Sequence, residues 1–175
     1  TETVIDQMDG SALPPCNFVI SDGAGGLWLT ISTRRVPRAL GYRKDVDDGF
    51  IVHISPDGQA RIAADRLGYT NECMVHPSGK WLYVNETFVR RLSRFELLGA
   101  GKLGLRETVR AFGAGTFPDG LAFDVDGNAW VTSIVSNRVV RVSPAGEQTI
   151  WLEDVEPDHL AWVEQAYLDD CMGRP

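Results

Sequence analysis

Three oxygen-bearing side chains stand at equal offsets in this chain. Asn17, Asn71 and Asp119 each open a stretch in which a Gly follows eight positions later and a large apolar residue eleven positions later. The stretches are NFVISDGAGGLW, NECMVHPSGKWL and DGLAFDVDGNAW. Gly25, Gly79 and Gly127 share one offset; Trp28, Leu82 and Trp130 share the other. A repeat of near-fixed period puts equivalent residues on one face of an assembly, so two amide oxygens and one carboxylate are expected to converge. Oxygen-only ligands suit a hard cation such as Ca2+ or Mg2+. Turn capping, a common job for Asn and Asp, is the competing reading of the same residues.

The elements that must position these groups are short and alternating. FVIS, LWLTIS, FIVHIS, WLYV, LSRFEL, LAFDV, AWVTSI and RVVRVS are each bounded by Gly, Pro, Asn or Asp. They read as strands of about four to seven residues joined by tight turns. Asp57-Gly58, Ser78-Gly79, Asp126-Gly127 and Ala145-Gly146 suit turns that need a positive φ at the Gly. Asn17 to Asn71 is 54 residues and Asn71 to Asp119 is 48. Four-stranded units of about 40–50 residues, rich in aromatics and Gly turns, predict β-propeller blades. The expected fold is therefore all-β, with about three blades over residues 13–66, 67–113 and 114–155. A residue just before the innermost strand of each blade would lie at one mouth of the central channel, the place expected for Asn17, Asn71 and Asp119. Closure takes typically four to eight blades. The chain is accordingly expected to be part of a longer protein, or a half that closes as a homodimer. Residues 156–175 form a connecting segment. Within it, LAWVEQAYLDD has helical spacing, with Leu160, Val163, Ala166 and Tyr167 on one side.

The second half of each unit repeats as well, since Ile54-Ser55-Pro56-Asp57-Gly58 matches Val142-Ser143-Pro144-Ala145-Gly146. Trp28 to Ser55 is 27 residues and Trp130 to Ser143 is 13, so the first unit carries an insertion of fourteen residues, roughly Arg34 to Asp48. An insertion in one repeat usually maps to a loop on one face, often the binding face. This one holds Arg34, Arg35, Arg38, Arg43 and Lys44, read as a solvated loop.

A formal net charge of −7 and the lack of a recognition fold around that basic run argue against a nucleic-acid partner. Cys16, Cys73 and Cys171 are odd in number and lack CxxC spacing, which suits free thiols in a reducing, cytoplasmic setting. No apolar run approaches the ~18 residues of a membrane span.

Other polar residues read as structural. Glu86 ends a strand near the pocket side and is read as a solvated strand end ahead of a ligand-orienting group. Asn85-Glu86-Thr87 is formally a glycosylation sequon. Asp124-Val125-Asp126-Gly127-Asn128 is spaced as a hairpin turn, its Gly being misplaced for a calcium-binding loop. His53, His76 and His159 share no metal-ligand spacing. Gly23-Ala24-Gly25-Gly26 reads as a turn rather than a phosphate loop. Trp28, Trp81, Trp130 and Trp162 are expected to fill the space between blades. No Ser/Cys-His-acid set supports covalent catalysis.

TNECMVHPSGKWLYVNET, TFPDGLAFDVDGNAWVTSIVSNRVVRVSP and NFVISDGAGGLWLT resemble the SMP-30/gluconolactonase/luciferin-regenerating family from about Leu13 to Pro175, with the most specific match over Phe117 to Pro144. The resemblance implies a six-bladed propeller with one divalent cation near the channel axis: Ca2+ first, with Zn2+, Mg2+ or Mn2+ as alternatives. It implies hydrolysis of small sugar lactones or related esters. By position, Asn71 resembles the family's metal-binding Asn. Asp119, in Pro118-Asp119-Gly120, resembles the metal-binding Asp that is also the proposed general base. Asn17 resembles the Asn that contacts substrate. The family's metal-binding Glu belongs to an earlier blade than the first one read here. Where some members carry an Arg for a sugar hydroxyl, this chain has Pro15. A carboxylate beside a cation is a weakened base, so Asp119 would serve mainly to hold the metal. The expected function is a metal-dependent lactonase or esterase; the alternative is a non-catalytic propeller that binds small ligands or scaffolds partners.

Overall fold

The computed structural model describes residues 3–8 and 10–171. Three four-stranded antiparallel sheets follow one another along the chain, each an up-and-down meander with its strands in sequence order. The first comprises β3 (Cys16–Ser21), β4 (Leu27–Ile31), β5 (Gly49–Ile54) and β6 (Ala60–Leu67). The second comprises β7 (Thr70–Val75), β8 (Trp81–Glu86), β9 (Arg91–Leu97) and β10 (Leu103–Ala111). The third comprises β11 (Pro118–Phe123), β12 (Ala129–Ser133), β13 (Arg138–Val142) and β14 (Gln148–Glu153). A two-stranded ribbon, β1 (Gln7–Met8) with β2 (Ser11–Ala12), precedes them; it is too short to carry a periodic signal. One helix, α1 (Pro157–Cys171), closes the described chain. The helical segment expected within 156–175 is thus described as far as Cys171, whose side chain lies outside the described set. Among the described residues no helix is long and apolar enough to cross a membrane.

The sheets form here because β-branched and aromatic residues alternate between two buried faces. Register pairs Leu27 with Ile54, Leu29 with Val52 and Ile31 with Phe50. One face of that sheet gathers Leu29, Ile31, Phe50, Val52 and Ile54, covered by Ile5, Met8 and Leu13. The opposite face gives Trp28 and Ile51 to a second core, completed by Cys73, Leu82, Val84 and Phe95 of the next sheet. Tyr83 and Leu92 then meet Leu121, Val131 and Val140 of the third. Each such side chain contributes roughly 1.5–3 kcal/mol when withdrawn from water. Gly58, Gly79, Gly127 and Gly146 have φ of 83°, 69°, 81° and 85°, as the four turn dipeptides require. Cys16 and Cys73 are free thiols, and burial pushes the Cys73 thiol up to about 12, which leaves it protonated and inert.

β7 packs between β3 and β11, so the first strands of the three sheets lie side by side. Each of them is irregular near its start. The first strand carries one residue more than its partner between Cys16 and Phe18, between Thr70 and Cys73, and between Pro118 and Leu121. A bulge bends the strand and re-aims a side chain. Asn17, Asn71 and Asp119 sit at these three bulges, as the second residue of their strands rather than just before them. The bulge lets a residue inside the strand point where a flanking residue was expected to point.

Candidate functional site

Asn17 Nδ2 donates to Asn71 Oδ1 at 2.8 Å and to the Thr70 carbonyl at 3.1 Å. Asn71 Nδ2 donates in turn to Asp119 Oδ1 and to Thr87 Oγ1. The expected convergence is thus a continuous chain of side chains drawn from three sheets. The neighbouring backbone is pinned from the second sheet. Asn85 Nδ2 donates to the carbonyls of Asp119 and Gly120 at 3.0 and 3.1 Å, and Thr87 Oγ1 donates to that of Pro118 at 2.8 Å. Glu72 accepts the Leu121 N–H at 2.8 Å. Asn85 and Thr87 are buried, so the sequon they frame is internal structure. Their role was missed because it depends on β11, more than thirty residues away.

Asn17, Asn71, Thr87 and Asp119 open onto a cavity of about 740 Å³. Its wall is aromatic: Tyr42, Tyr69 and Phe88 meet at ring-centroid distances of 4.9–5.2 Å, and Phe117 packs on Tyr167 at 5.1 Å. Burial, then the hydrogen bond with Tyr42, push the Tyr69 phenol up to about 12 against the lowering effect of Arg38. Tyr69 is therefore a neutral hydroxyl at physiological pH.

The insertion forms part of the same wall, through Arg38, Leu40, Tyr42 and Arg43. It contains a 3-10 turn at Arg38–Gly41 and is exposed, as expected, but it is tied down. Arg34 pairs with Asp65 at 2.8 Å, Arg35 with Asp48 at 3.3 Å and Arg43 with Asp45 at 2.7 Å. Thr33 Oγ1 donates to Asp48 at 2.6 Å at its base.

Helix α1 supplies the remaining wall. Val163 and Tyr167 are buried against Phe117, as their helical spacing predicted. Arg90 clamps the helix: its guanidinium binds both oxygens of Glu164 at 2.7 and 3.0 Å and lies over the rings of Phe117 and Tyr167. Trp162, expected between blades, is instead 66% exposed and borders the cavity. It stands one position before Val163, on the face of α1 turned away from the core. Trp28 does lie between two sheets, and Trp81 packs against the core formed by the second and third.

Glu86 requires a correction. A charged residue at a strand end reads as solvated, yet its side chain is fully buried. It accepts from Gly68 N at 2.7 Å and Ser93 Oγ at 2.5 Å, and pairs with Arg91 at 2.7 Å. It joins the loop before β7 to β9 and reaches Arg106 on β10 at 3.7 Å. It neither faces solvent nor meets the cavity.

The other singled-out motifs are turns and supports. Asp124 accepts from the N–H groups of Asp126 and Asn128 and from Trp130 Nε1. Bonds from Trp130 and Asn128 hold its carboxyl down at about 2. Asp22, five residues after Asn17 as Asp124 is after Asp119, does the same for Ala24 and Gly26. It also meets the buried His53 at 2.9 Å. Burial raises the Asp22 carboxyl, but bonds from His53, Ala24 and Gly26 outweigh that and hold it low. His76 bonds Ser78 and the Gly127 carbonyl, and His159 the Val135 carbonyl.

The donor set can be compared with what a divalent cation needs. Asn71 Oδ1 has one lone pair taken by Asn17, and Asp119 Oδ2 has no hydrogen-bond partner among the described residues. These are hard oxygen donors opening on a cavity, the kind Ca2+ or Mg2+ takes, but they are few of the six to eight oxygens of a full calcium shell. The fit is in kind, and a cation held here would need its remaining ligands from water or from outside the described residues. Among those residues no cluster of three His, Cys, Asp or Glu side chains stands ready for a metal.

The SMP-30/gluconolactonase/LRE-like region matches residues 2–153, and the chain belongs to that family. It is 31% identical over 106 residues to a 6-deoxy-6-sulfogluconolactonase of Pseudomonas putida, covering 59% of this chain and 36% of that protein. Its fold is similar to that of a gluconolactonase of Xanthomonas campestris, with a TM-score of 0.67 and 22% identity over 87% of this chain and 51% of that one. It is also similar to regucalcin of Agrobacterium tumefaciens, a calcium-binding protein, with a TM-score of 0.65 and 22% identity over 81% of this chain and 45% of that one. The chain therefore spans about half the length of these structures and about a third of the curated relative.

Proposed function

We propose that the complete natural protein hydrolyses sugar lactones or related esters with the help of a divalent cation, Ca2+ first among the candidates. In this reading the three sheets are consecutive blades, over 13–66, 67–113 and 114–155, of a six-bladed propeller. The observation that carries it is the Asn17–Asn71–Asp119 chain of hydrogen bonds at the wall of a cavity of about 740 Å³. Membership of a family that includes gluconolactonases supports the substrate class, and that volume falls within the range of small-molecule sites.

Asn71 and Asp119 would hold the cation, which when bound would polarise a lactone carbonyl and stabilise the oxyanion formed on attack. With Oδ1 taken by Asn71, Asp119 would serve mainly to hold the metal through Oδ2, and would take a proton from the attacking water only where that contact leaves an oxygen free. Asn17 would orient the substrate beside it, and the rings of Tyr42, Tyr69 and Phe88 would pack the sugar and keep bulk water out. The alternative, a non-catalytic ligand-binding propeller, is favoured by the low carboxylate supply, since Asp119 is the sole carboxylate among the described lining residues.

Acid release from glucono-1,5-lactone by the complete protein, stripped with chelator and then resupplied with Ca2+, distinguishes the two. The lactonase reading expects turnover to return with metal and to be lost in Asp119→Ala. Neither turnover nor metal binding would leave the scaffold reading.

A further inference from the structure

Four arginines lie in the insertion of the first sheet, and one differs from the others. Arg34, Arg35 and Arg43 each meet a carboxylate. Arg38 meets none among the described residues. Its Nε donates to the Tyr69 hydroxyl at 2.9 Å, one Nη reaches Ser32 Oγ at 3.4 Å, and its guanidinium carbon stands 5.6 Å from the Tyr69 ring centre. Nη1 has no partner. A guanidinium carries five N–H donors in a fixed fork, so most of its donor capacity is unused while Tyr69 and Ser32 fix its position.

Arg38 lines the cavity that also holds Asn17, Asn71 and Asp119. In a chain of net charge −7, the described residues lining this cavity include two guanidinium groups, Arg43 being paired with Asp45, and one carboxylate, Asp119. With Asp119 engaged by a cation as proposed above, the Arg38 charge faces no opposing carboxylate on the described wall and attracts ligands of the other sign. Arginine is suited to multi-oxygen anions because its fork offers two parallel bonds.

We propose that Arg38 is a specificity-determining residue that binds an anionic substituent (sulfonate, phosphate or carboxylate) carried by the lactone at a distance from its reacting carbonyl. This rests on the lactonase reading of the cavity and adds to it a charge preference set by the insertion. The neutral Tyr69 hydroxyl accepts from Nε and fixes the guanidinium on this wall.

The test compares glucono-1,5-lactone with its 6-sulfonate and 6-phosphate analogues and with glucarolactone, using the complete protein with Ca2+. Wild type is expected to favour at least one anionic lactone in kcat/KM. In Arg38→Gln the anionic-to-neutral ratio should fall by about 10- to 100-fold, the scale of a charged hydrogen bond. Arg38→Lys should recover part of it, and Tyr69→Phe should lower it less. The three anionic arms tell which oxyanion is preferred. A merely structural role would lower all rates together and leave the ratio unchanged, and this result overturns the proposal. Calorimetric binding of 6-deoxy-6-sulfogluconate against gluconate separates this question from turnover. Tighter binding of the sulfonate that is lost in Arg38→Gln upholds the anion site even if no lactone is hydrolysed. Equal binding of the two by wild type overturns it even if gluconolactone is hydrolysed.

Discussion

Asn17 Nδ2 lies 2.8 Å from Asn71 Oδ1, a contact between residues 54 positions apart that links the first strands of two successive sheets. Each residue stands at a bulge, and the same bulge recurs at Asp119. The linkage gives Asn17 two jobs: it holds the Asn71 amide in one orientation, and it borders the cavity. Asn17→Ala should raise KM for gluconolactone by about 5- to 10-fold, the worth of roughly 1 kcal/mol of hydrogen bonding, with a smaller effect on kcat. A fall in kcat at constant KM would contradict a substrate-side role.

Glu86 is expected to dominate stability more than any exposed charge. Removing one partner from a buried, hydrogen-bonded ion pair costs about 3–5 kcal/mol, and Glu86→Ala strips partners from Arg91, Ser93 and Gly68 together. The denaturant midpoint should drop accordingly, while Arg34→Ala, which breaks an exposed pair, should shift it by less than about 1 kcal/mol. Similar small losses in both variants would remove Glu86 from its central place.

Much of the fold was legible because its signals are local. The positive φ at Gly25, Gly79 and Gly127 follows from turn chemistry at a repeated offset. The buried face of α1 follows from the spacing of Val163 and Tyr167. The grouping of Asn17, Asn71 and Asp119 follows from the period. What escaped depends on partners distant in the chain. Glu86 reads as solvated until Gly68 and Arg106 are placed around it. Asn85 and Thr87 look like a surface sequon until the carbonyls of β11 arrive. Trp162 looks like core because aromatics usually are, yet the helix turns it toward the cavity rim. The insertion reads as a basic run, but the run does not tell that three of its arginines pair with carboxylates while Arg38, on the cavity wall, meets none among the described residues.

Arg90 fastens α1 to the sheets through Glu164 and two aromatic rings. Arg90→Ala should loosen the helix without unfolding the sheets, since the helix buries few residues of its own. Hydrogen exchange should rise across residues 157–171 while β8 and β12 stay protected. Uniform loss of protection would show that the helix and sheets open together.

The Asp124 turn predicts a specific acid response. Its carboxyl sits at about 2 in the folded chain, against an ordinary value of 3.8. A depressed folded value stabilises the protein above the unfolded value, and that stabilisation fades as pH falls from about 4 toward 2. The stability gap between wild type and Asp124→Ala should therefore be widest above about pH 4 and narrow on acidification. A gap independent of pH would assign the residue's contribution to its geometry rather than its charge.

Asn71 and Asp119 are proposed to hold a divalent cation together. Crystals of the complete natural protein grown with Mn2+ test it directly, through an anomalous difference map collected to favour that metal. A single strong peak is expected within bonding distance of Asn71 Oδ1 and an Asp119 carboxylate oxygen, absent in Asp119→Ala. A map with no peak there, or with its strongest peak away from both residues, would contradict it.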